Sequence, residues 1–158
     1  MNRYALAALT FLTLASYAHA DPYVEVDISD RKLYFHGTAE LEYPVGVGRN
    51  KYQTPTGEFT INEIIEYPDW CPDAGTPWLT DEQRDYVKEH TCIPNNLQLN
   101  PLNLYWIDLS APGIGIHDRY DDDGIGKASS HGCVRMHTAD ISKLVEHLQK
   151  GMKVVIHD

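Results

Sequence analysis

The feature of this sequence that most limits its possible folds is an alternation of apolar and polar residues that starts at Val24. Val24, Val26 and Ile28 alternate with charged or hydroxyl side chains, which is the period of a strand with one buried face. Further strands are predicted at 33–35, 41–47, 59–65, 102–109, 113–117 and 154–156. So many short strands in one chain indicate a mostly β domain.

A single strongly amphipathic helix is predicted near the end of the chain. Apolar residues recur at i, i+3, i+4 and i+7 over 141–148, which gives the helix one apolar face. Thr138 is the predicted N-cap and Gly151 the predicted C-cap. Residues 67–101 lack a strand period and are predicted to be an insertion with a short helix at about 80–90. The fold class is therefore mainly β (α+β).

The first twenty residues have the composition of a secretory signal peptide. Arg3 precedes an uncharged run over 5–15, and Ala18-His19-Ala20 fits a small-x-small cleavage site. A membrane anchor is the alternative, although the run is shorter than the ~20 residues that a spanning helix needs. We predict a signal peptide at 1–20, a mature domain at 21–158, and an exported protein in the periplasm that leaves the membrane after cleavage. The formal net charge of -10 argues against a nucleic-acid partner.

Cys133 is the strongest candidate for a reactive residue. It lies in the segment Ser130-His131-Gly132-Cys133, where polar neighbours and a glycine favour an accessible thiol over a packed one. A cysteine nucleophile needs a base nearby, and three histidines are close in sequence: His117, His131 and His137. The alternatives are a buried inert thiol and a zinc site made by these residues, although their spacing matches no familiar metal motif.

These motifs resemble the L,D-transpeptidase catalytic domain, or YkuD family. The resemblance is carried by Ile116-His117, by the S-H-G-C segment whose cysteine lies sixteen positions after His117, and by Val134-Arg135-Met136 after it. The segments 43–48 and 54–59 are similar to the strand pair that precedes the active site in that family. The resemblance covers nearly all of the mature chain outside 67–101. It implies a β-sandwich-like fold of mixed strands with one amphipathic helix after the catalytic cysteine.

The resemblance implies a role for each residue of the motif. Cys133 would be the nucleophile and His117 the general base and acid, with the backbone carbonyl after the histidine orienting its ring. That position is Asp118, where many members have glycine. The Asp118 side chain either takes part in the catalytic site or faces solvent in an acidic loop. We favour the solvated loop.

Four further residues complete the predicted site. Backbone N–H groups at Gly132 and Cys133 would form the oxyanion hole, and Ser130 and His131 would belong to the same pocket. Arg135 would bind a substrate carboxylate or pair with a nearby acid. No cofactor and no metal are predicted.

The other two cysteines, Cys71 and Cys92, bracket the insertion. In an exported protein a disulfide between them is predicted, since pairing either with Cys133 would block the nucleophile. The insertion also holds Trp70, Trp78 and Tyr86. These aromatics either cover the substrate or form a small core of their own, and the second alternative is preferred.

The implied activity is acyl transfer on peptidoglycan stem peptides through a thioester on the cysteine. The acceptor would be a diaminopimelate amine of a second stem, giving a cross-link, or an amine of a wall-anchored protein. Hydrolysis by the same residues, giving an L,D-carboxypeptidase or endopeptidase, is the alternative. A non-catalytic wall-binding module is disfavoured because the histidine, glycine and cysteine of the motif are all present.

Overall fold

The computed structural model describes residues 21–158, so the predicted signal peptide at 1–20 lies outside the described residues. Strands and helices run in this order: β1 Tyr23–Asp27, β2 Lys32–His36, β3 Leu41–Pro44, β4 Val47–Gly48, β5 Gly57–Glu66, α1 Asp81–His90, β6 Tyr105–Leu109, β7 Gly115–Asp118, β8 Ala128–Ser130, β9 Val134–Met136, α2 Thr138–Val145 and β10 Lys153–His157. Within 21–158, neither helix is long and apolar enough to cross a membrane.

Eight of the strands form one mixed sheet in the order β3-β2-β1-β10-β5-β6-β7-β9, and β4 pairs with β8 separately. The β1–β10 and β7–β9 pairs are parallel, whereas the other pairs of the large sheet are antiparallel. The sheet nearly closes on itself. Gly46, two residues after β3, exchanges two backbone hydrogen bonds with Arg135 of β9, at 2.9 and 2.8 Å. The predicted mainly β fold of mixed strands is confirmed.

Helix α2 packs against β6 and β7 and buries Ile141 and Leu144 in the main core. Its predicted limits are wrong at both ends. The N-cap is His137, whose backbone is extended, because the Thr138 hydroxyl donates to the Asp118 carboxylate at 2.6 Å instead of capping the helix. The helix ends at Val145 and does not reach Gly151. The backbone N–H groups at 147 and 148 bond the third preceding carbonyl oxygen instead of the fourth.

The insertion has its own small core and is anchored at its base. Buried Leu79, Val87 and Ile93 pack with partly buried neighbours that include Trp70 and Tyr86. Thr80 and Gln83 form a capping box at the start of α1, as the sequence indicated for this stretch. Cys71 and Cys92 form the predicted disulfide, directly beside a backbone bridge between Trp70 and Ile93.

Replacing both Cys71 and Cys92 with alanine is expected to lower the free energy of unfolding by about 3 kcal/mol, because the bridge restricts a loop of this length in the unfolded chain. Urea denaturation of the double variant against the oxidised parent measures the loss. The matched control is the parent under reducing conditions, which should show the same loss. A double variant as stable as the oxidised parent would contradict the expectation.

Candidate active site

Cys133 occupies a tight turn between β8 and β9. The preceding residue, Gly132, has φ +117°, and a Cβ atom built on it would come within 2.8 Å of the Ile114 side chain. The backbone conformation favours glycine here, and a Cβ atom would also displace the end of the Ile114 side chain. The turn therefore exposes the cysteine at the start of β9 while it keeps the adjacent backbone close to Ile114.

Ser130 holds this turn together from a buried position. Its hydroxyl donates to the Cys133 carbonyl oxygen at 2.6 Å and accepts from the Gly132 N–H at 3.1 Å. The Gly132 N–H thus already has an acceptor. The oxyanion role of Gly132 stays a prediction: in this conformation its N–H bonds the Ser130 hydroxyl and would have to leave it to bind an oxyanion.

His117 is buried at the third position of β7. Its Nδ1 donates to the backbone carbonyl oxygen of Asp118 at 3.0 Å, which is the orienting contact that the resemblance implied. Trp106, on the neighbouring strand β6, packs against the ring at a centroid distance of 5.7 Å. The bonded Nδ1 fixes the tautomer, so Nε2 carries the lone pair that accepts a proton.

The Asp118 side chain is fully buried, which corrects the favoured interpretation of a solvated residue. Its carboxylate accepts from the backbone N–H groups of Leu104 and Tyr105 at 3.0 and 2.8 Å. It also accepts from the Asn103 amide at 3.0 Å and the Thr138 hydroxyl at 2.6 Å. The solvated-loop interpretation holds for the neighbouring acids 121–123, which are exposed. The Asp118 carboxylate instead joins the segment that follows the insertion, β6 and α2 beside the catalytic histidine candidate.

Cys133 and His117 line one cavity of about 250 Å³. The partly buried thiol donates to the Gly113 carbonyl oxygen at a distance of 3.7 Å. The cavity is lined by residues of the insertion, of the central strands and of the cysteine turn: Trp70, Trp78, Gln83, Pro101, Leu102, Trp106, Gly113, His117, Arg119, Ser130, His131, Cys133 and Arg135. Of the predicted site residues, Cys133, His117, Ser130, His131 and Arg135 are thus brought together.

The insertion supplies an aromatic wall of this cavity. Trp78 stacks on His131 with ring centroids 4.5 Å apart, and Trp70 stacks on Trp78 at 5.8 Å. Tyr52 meets the same histidine edge-on at 4.8 Å, and Arg49 bonds its Nε2. Trp70 therefore serves both alternatives left open by the sequence, because it packs on the small core of the insertion and also faces the cavity.

The electrostatics of the site favour a neutral thiol and a neutral imidazole at rest. Burial lowers the pKa of His117 to about 4, and the nearby guanidinium groups of Arg135 and Arg119 act in the same direction. Burial also raises the pKa of the Cys133 thiol, against smaller opposing effects of the Gly115 N–H and Arg135. These two pKa directions favour the neutral pair over a thiolate–imidazolium pair in the resting enzyme.

Alkylation of Cys133 by iodoacetamide tests this protonation state. The rate constant at pH 7 is expected to be below that of a cysteine in a short peptide, and to rise about tenfold per pH unit up to pH 9, because the folded protein raises the thiol pKa. Mass spectrometry of the intact protein follows the reaction. The Cys133→Ala variant is the control for labelling elsewhere. A rate that levels off below pH 7 would instead indicate a thiolate–imidazolium pair.

Arg119 and Trp106 are cavity residues that the sequence analysis missed. Arg119 is two positions after His117, so strand alternation in β7 could have placed it on the same side as the histidine. Arg135 lies opposite His117 in the β7–β9 register. Within 21–158, no carboxylate lies within salt-bridge distance of Arg135, which disfavours the alternative of a structural ion pair.

The histidines considered as zinc ligands are dispersed. His137 bonds Asp122 at 2.8 Å, and His131 is stacked in the aromatic wall. In the part of the chain that the structure describes, no group of three His, Cys, Asp or Glu side chains is positioned to hold a metal ion.

Comparison with known proteins agrees with this arrangement. The family model described as the YkuD L,D-transpeptidase catalytic domain matches residues 21–156. The chain belongs to the L,D-transpeptidase catalytic-domain family. The match spans the cysteine turn, β7 and the insertion.

Curated relatives have the same family name. The chain is 31% identical over 142 residues to "Probable L,D-transpeptidase ErfK/SrfK" of Salmonella typhimurium, covering 85% of this chain and 44% of the relative. It is 32% identical over 144 residues to YkuD of Bacillus subtilis, covering 87% and 70%. The chain therefore spans less than half of the Salmonella protein.

Solved L,D-transpeptidases share the fold. The catalytic domain of the Enterococcus faecium L,D-transpeptidase matches with a TM-score of 0.62 at 23% identity, covering 89% of this chain and 99% of that one. L,D-transpeptidase 3 of Mycobacterium tuberculosis matches with a TM-score of 0.63 at 17% identity, covering 87% and 62%. At such identities the likeness concerns the architecture.

Proposed function

We propose that this chain is an exported cysteine L,D-transpeptidase that acts on peptidoglycan stem peptides. The observation that carries the proposal is that Cys133 and a rigidly oriented His117 line the same cavity in a chain of this family. Both side chains are held by short backbone segments of the sheet. The cavity is open to solvent at the thiol, as a peptide substrate requires.

In the first half-reaction, Cys133 attacks the carbonyl carbon of the bond between an L-centre and a terminal D-residue. Nε2 of His117 accepts the thiol proton as the S–C bond forms, and donates it to the leaving amine as the C–N bond breaks. The lowered pKa of His117 keeps Nε2 free to accept a proton near neutral pH. The product is a thioester on Cys133 and a free D-amino acid.

In the second half-reaction, an acceptor amine attacks the thioester carbonyl. A new C–N bond forms, the S–C bond breaks, and His117 carries the proton of the amine back to sulfur. The N–H of Cys133 is the candidate donor to the oxyanion in both steps, since the Gly132 N–H is bonded to Ser130. Ser130 and Asp118 act as positioning residues for the turn and the histidine.

The proposed acceptor is the side-chain amine of diaminopimelate on a second stem, which produces a cross-link. An amine of a wall-anchored protein is the other acceptor that the same chemistry serves. Residues 1–20 are proposed to direct the chain to the periplasm as a cleaved signal peptide. N-terminal sequencing of the exported protein tests this, with a mature terminus at Asp21 as the expected result.

Incubation with purified tetrapeptide muropeptides, followed by mass spectrometry, tests the reaction. Dimers joined through two diaminopimelate residues, together with released D-alanine, are the expected products. Shortened monomers without dimers would favour the alternative of an L,D-carboxypeptidase, which uses water as acceptor. If neither dimers nor shortened peptides form and no acyl group is found on Cys133, the proposed function is wrong.

A further inference from the structure

Two arginines in the catalytic cavity have unsatisfied polar atoms. Arg119 and Arg135 both line the cavity that holds Cys133 and His117. The Nε atom of each is buried and has no hydrogen-bond partner within residues 21–158. A buried guanidinium N–H without an acceptor is costly to stability, so this pair of atoms indicates a site whose acceptor comes from outside the chain.

The sheet register brings these arginines to the reacting groups. Arg135 is the register partner of His117 in the parallel β7–β9 pair, and it follows Cys133 by two positions. Arg119 follows His117 by two positions. Alternate residues of extended chain point to the same side, about 7 Å apart. Each arginine therefore lies two residues from a reacting residue, and both arginine side chains line the same cavity as His117 and Cys133.

The charge at this point contrasts with the rest of the protein. The chain has a formal net charge of -10, yet two cations share one cavity wall. Burial lowers the pKa of Arg135, and the nearby Arg119 lowers it further. Asp121 pairs with one Nη atom of Arg119 at 3.1 Å and leaves its Nε free. The cations repel each other, and an anionic ligand would relieve that repulsion.

We propose that Arg119 and Arg135 together bind a carboxylate of the acyl donor next to the bond that breaks. This proposal rests on the proposed function and makes Arg119 a specificity-determining residue. Guanidinium groups match the planar geometry of a carboxylate and bind it through paired N–H donors. A neutral amide at the same place supplies weaker acceptors and does not offset the charge of the pair.

Two carboxylates of a tetrapeptide donor have this chemistry. The first is the terminal carboxylate of the leaving D-residue, whose carbon lies three bonds from the scissile carbonyl carbon, or at most about 4 Å. The second is the free carboxylate on the side chain of diaminopimelate, six bonds away. Both are close enough to the scissile carbonyl to enter the cavity that the two guanidinium groups share with Cys133. If the first is bound, the enzyme accepts only donors with a free C-terminus.

Equilibrium binding to the Cys133→Ala variant tests the proposal without turnover. Three synthetic donors of one sequence are titrated calorimetrically: the free acid, the C-terminal amide, and the diaminopimelate side-chain amide. The free acid is expected to bind about 10- to 100-fold more tightly than one of the two amides. The amide that binds weakly identifies which carboxylate occupies the site.

Adding Arg119→Gln to this background is expected to weaken binding of the free acid about 10-fold or more, and to leave the weak amide unchanged. Arg119→Lys should recover part of the difference. Arg31→Gln, which removes the same charge from an exposed turn, is the matched control and should have no effect. Circular dichroism confirms that each variant is folded.

The proposal is overturned if the free acid and the two amides all bind with the same affinity, or if none of the three donors binds. It is also overturned if Arg119→Gln weakens binding of all three donors equally. Acylation of the parent enzyme is measured separately by mass spectrometry. If the arginine-dependent preference is present but Cys133 is never acylated, the proposed function fails and the carboxylate site stands. If Cys133 is acylated but the arginine-dependent preference is absent, the carboxylate site fails and the proposed function stands.

Discussion

Replacing Cys133 with alanine is expected to abolish acyl transfer, with a loss of at least about 10⁴-fold in rate, because no other thiol is free. Cys71 and Cys92 are joined to each other, and Cys133 is the free cysteine of residues 21–158. Loss of a covalent nucleophile removes the reaction path itself and not only a part of transition-state stabilisation. Intact-protein mass spectrometry after mixing with a tetrapeptide donor measures the acyl-enzyme directly.

The stability of Cys133→Ala shows whether a loss of activity comes from lost chemistry or from lost folding. Cys133 is partly exposed, and within residues 21–158 its thiol donates only to the Gly113 carbonyl oxygen, at 3.7 Å. The alanine variant should therefore keep the parent's stability to within about 1 kcal/mol. Cys133→Ala that retained acyl transfer at the parent rate would show that another group is the nucleophile and would refute the mechanism proposed here.

Replacing Asp118 with alanine is expected to lower the free energy of unfolding by about 4 kcal/mol, because several donors lose a buried acceptor at once. The donors are two backbone N–H groups at the start of β6, the Asn103 amide and the Thr138 hydroxyl. These donors connect the segment that follows the insertion, β6 and α2. Urea denaturation measures the loss.

Two further variants make the result specific. Asp118→Asn keeps one carbonyl acceptor and should cost less than the alanine change, whereas Asp123→Ala removes an exposed carboxylate and should stay within about 0.5 kcal/mol of the parent. A loss below about 1 kcal/mol for Asp118→Ala would mean that water replaces the carboxylate at little cost. The network would then not be what holds these three elements together.

Where the pattern was local, the sequence predicted the structure well. The alternation from Val24 predicted β1, the apolar runs predicted most other strands of the large sheet, and Thr80 marked the start of α1. The pairing of Cys133 with His117 followed from a motif. The short strands β8 and β9 were not predicted, because three residues are too few to show a period and their sequences are rich in serine and arginine.

The features that escaped prediction depend on partners distant in sequence. Asp118 is buried because Asn103, Leu104, Tyr105 and Thr138 supply donors to it, and no local pattern reveals those contacts. The neutral resting state of the cysteine and histidine depends on burial, which lowers one pKa and raises the other. The position of Arg135 opposite His117 depends on the register between β7 and β9.

The position of β10 has a consequence for how the chain folds. This strand follows all the others in sequence, yet it lies in the middle of the large sheet, between β1 and β5. Without it, β1 and β5 would have unpaired edges, and β1–β3 would meet the strands of the active site through the Gly46–Arg135 and β4–β8 pairs at the other end. Joining the first strand to the last gives the molecule a high contact order, which slows folding. Completion of the sheet around the active site therefore depends on residues 153–157, which pair with strands from both parts of the chain.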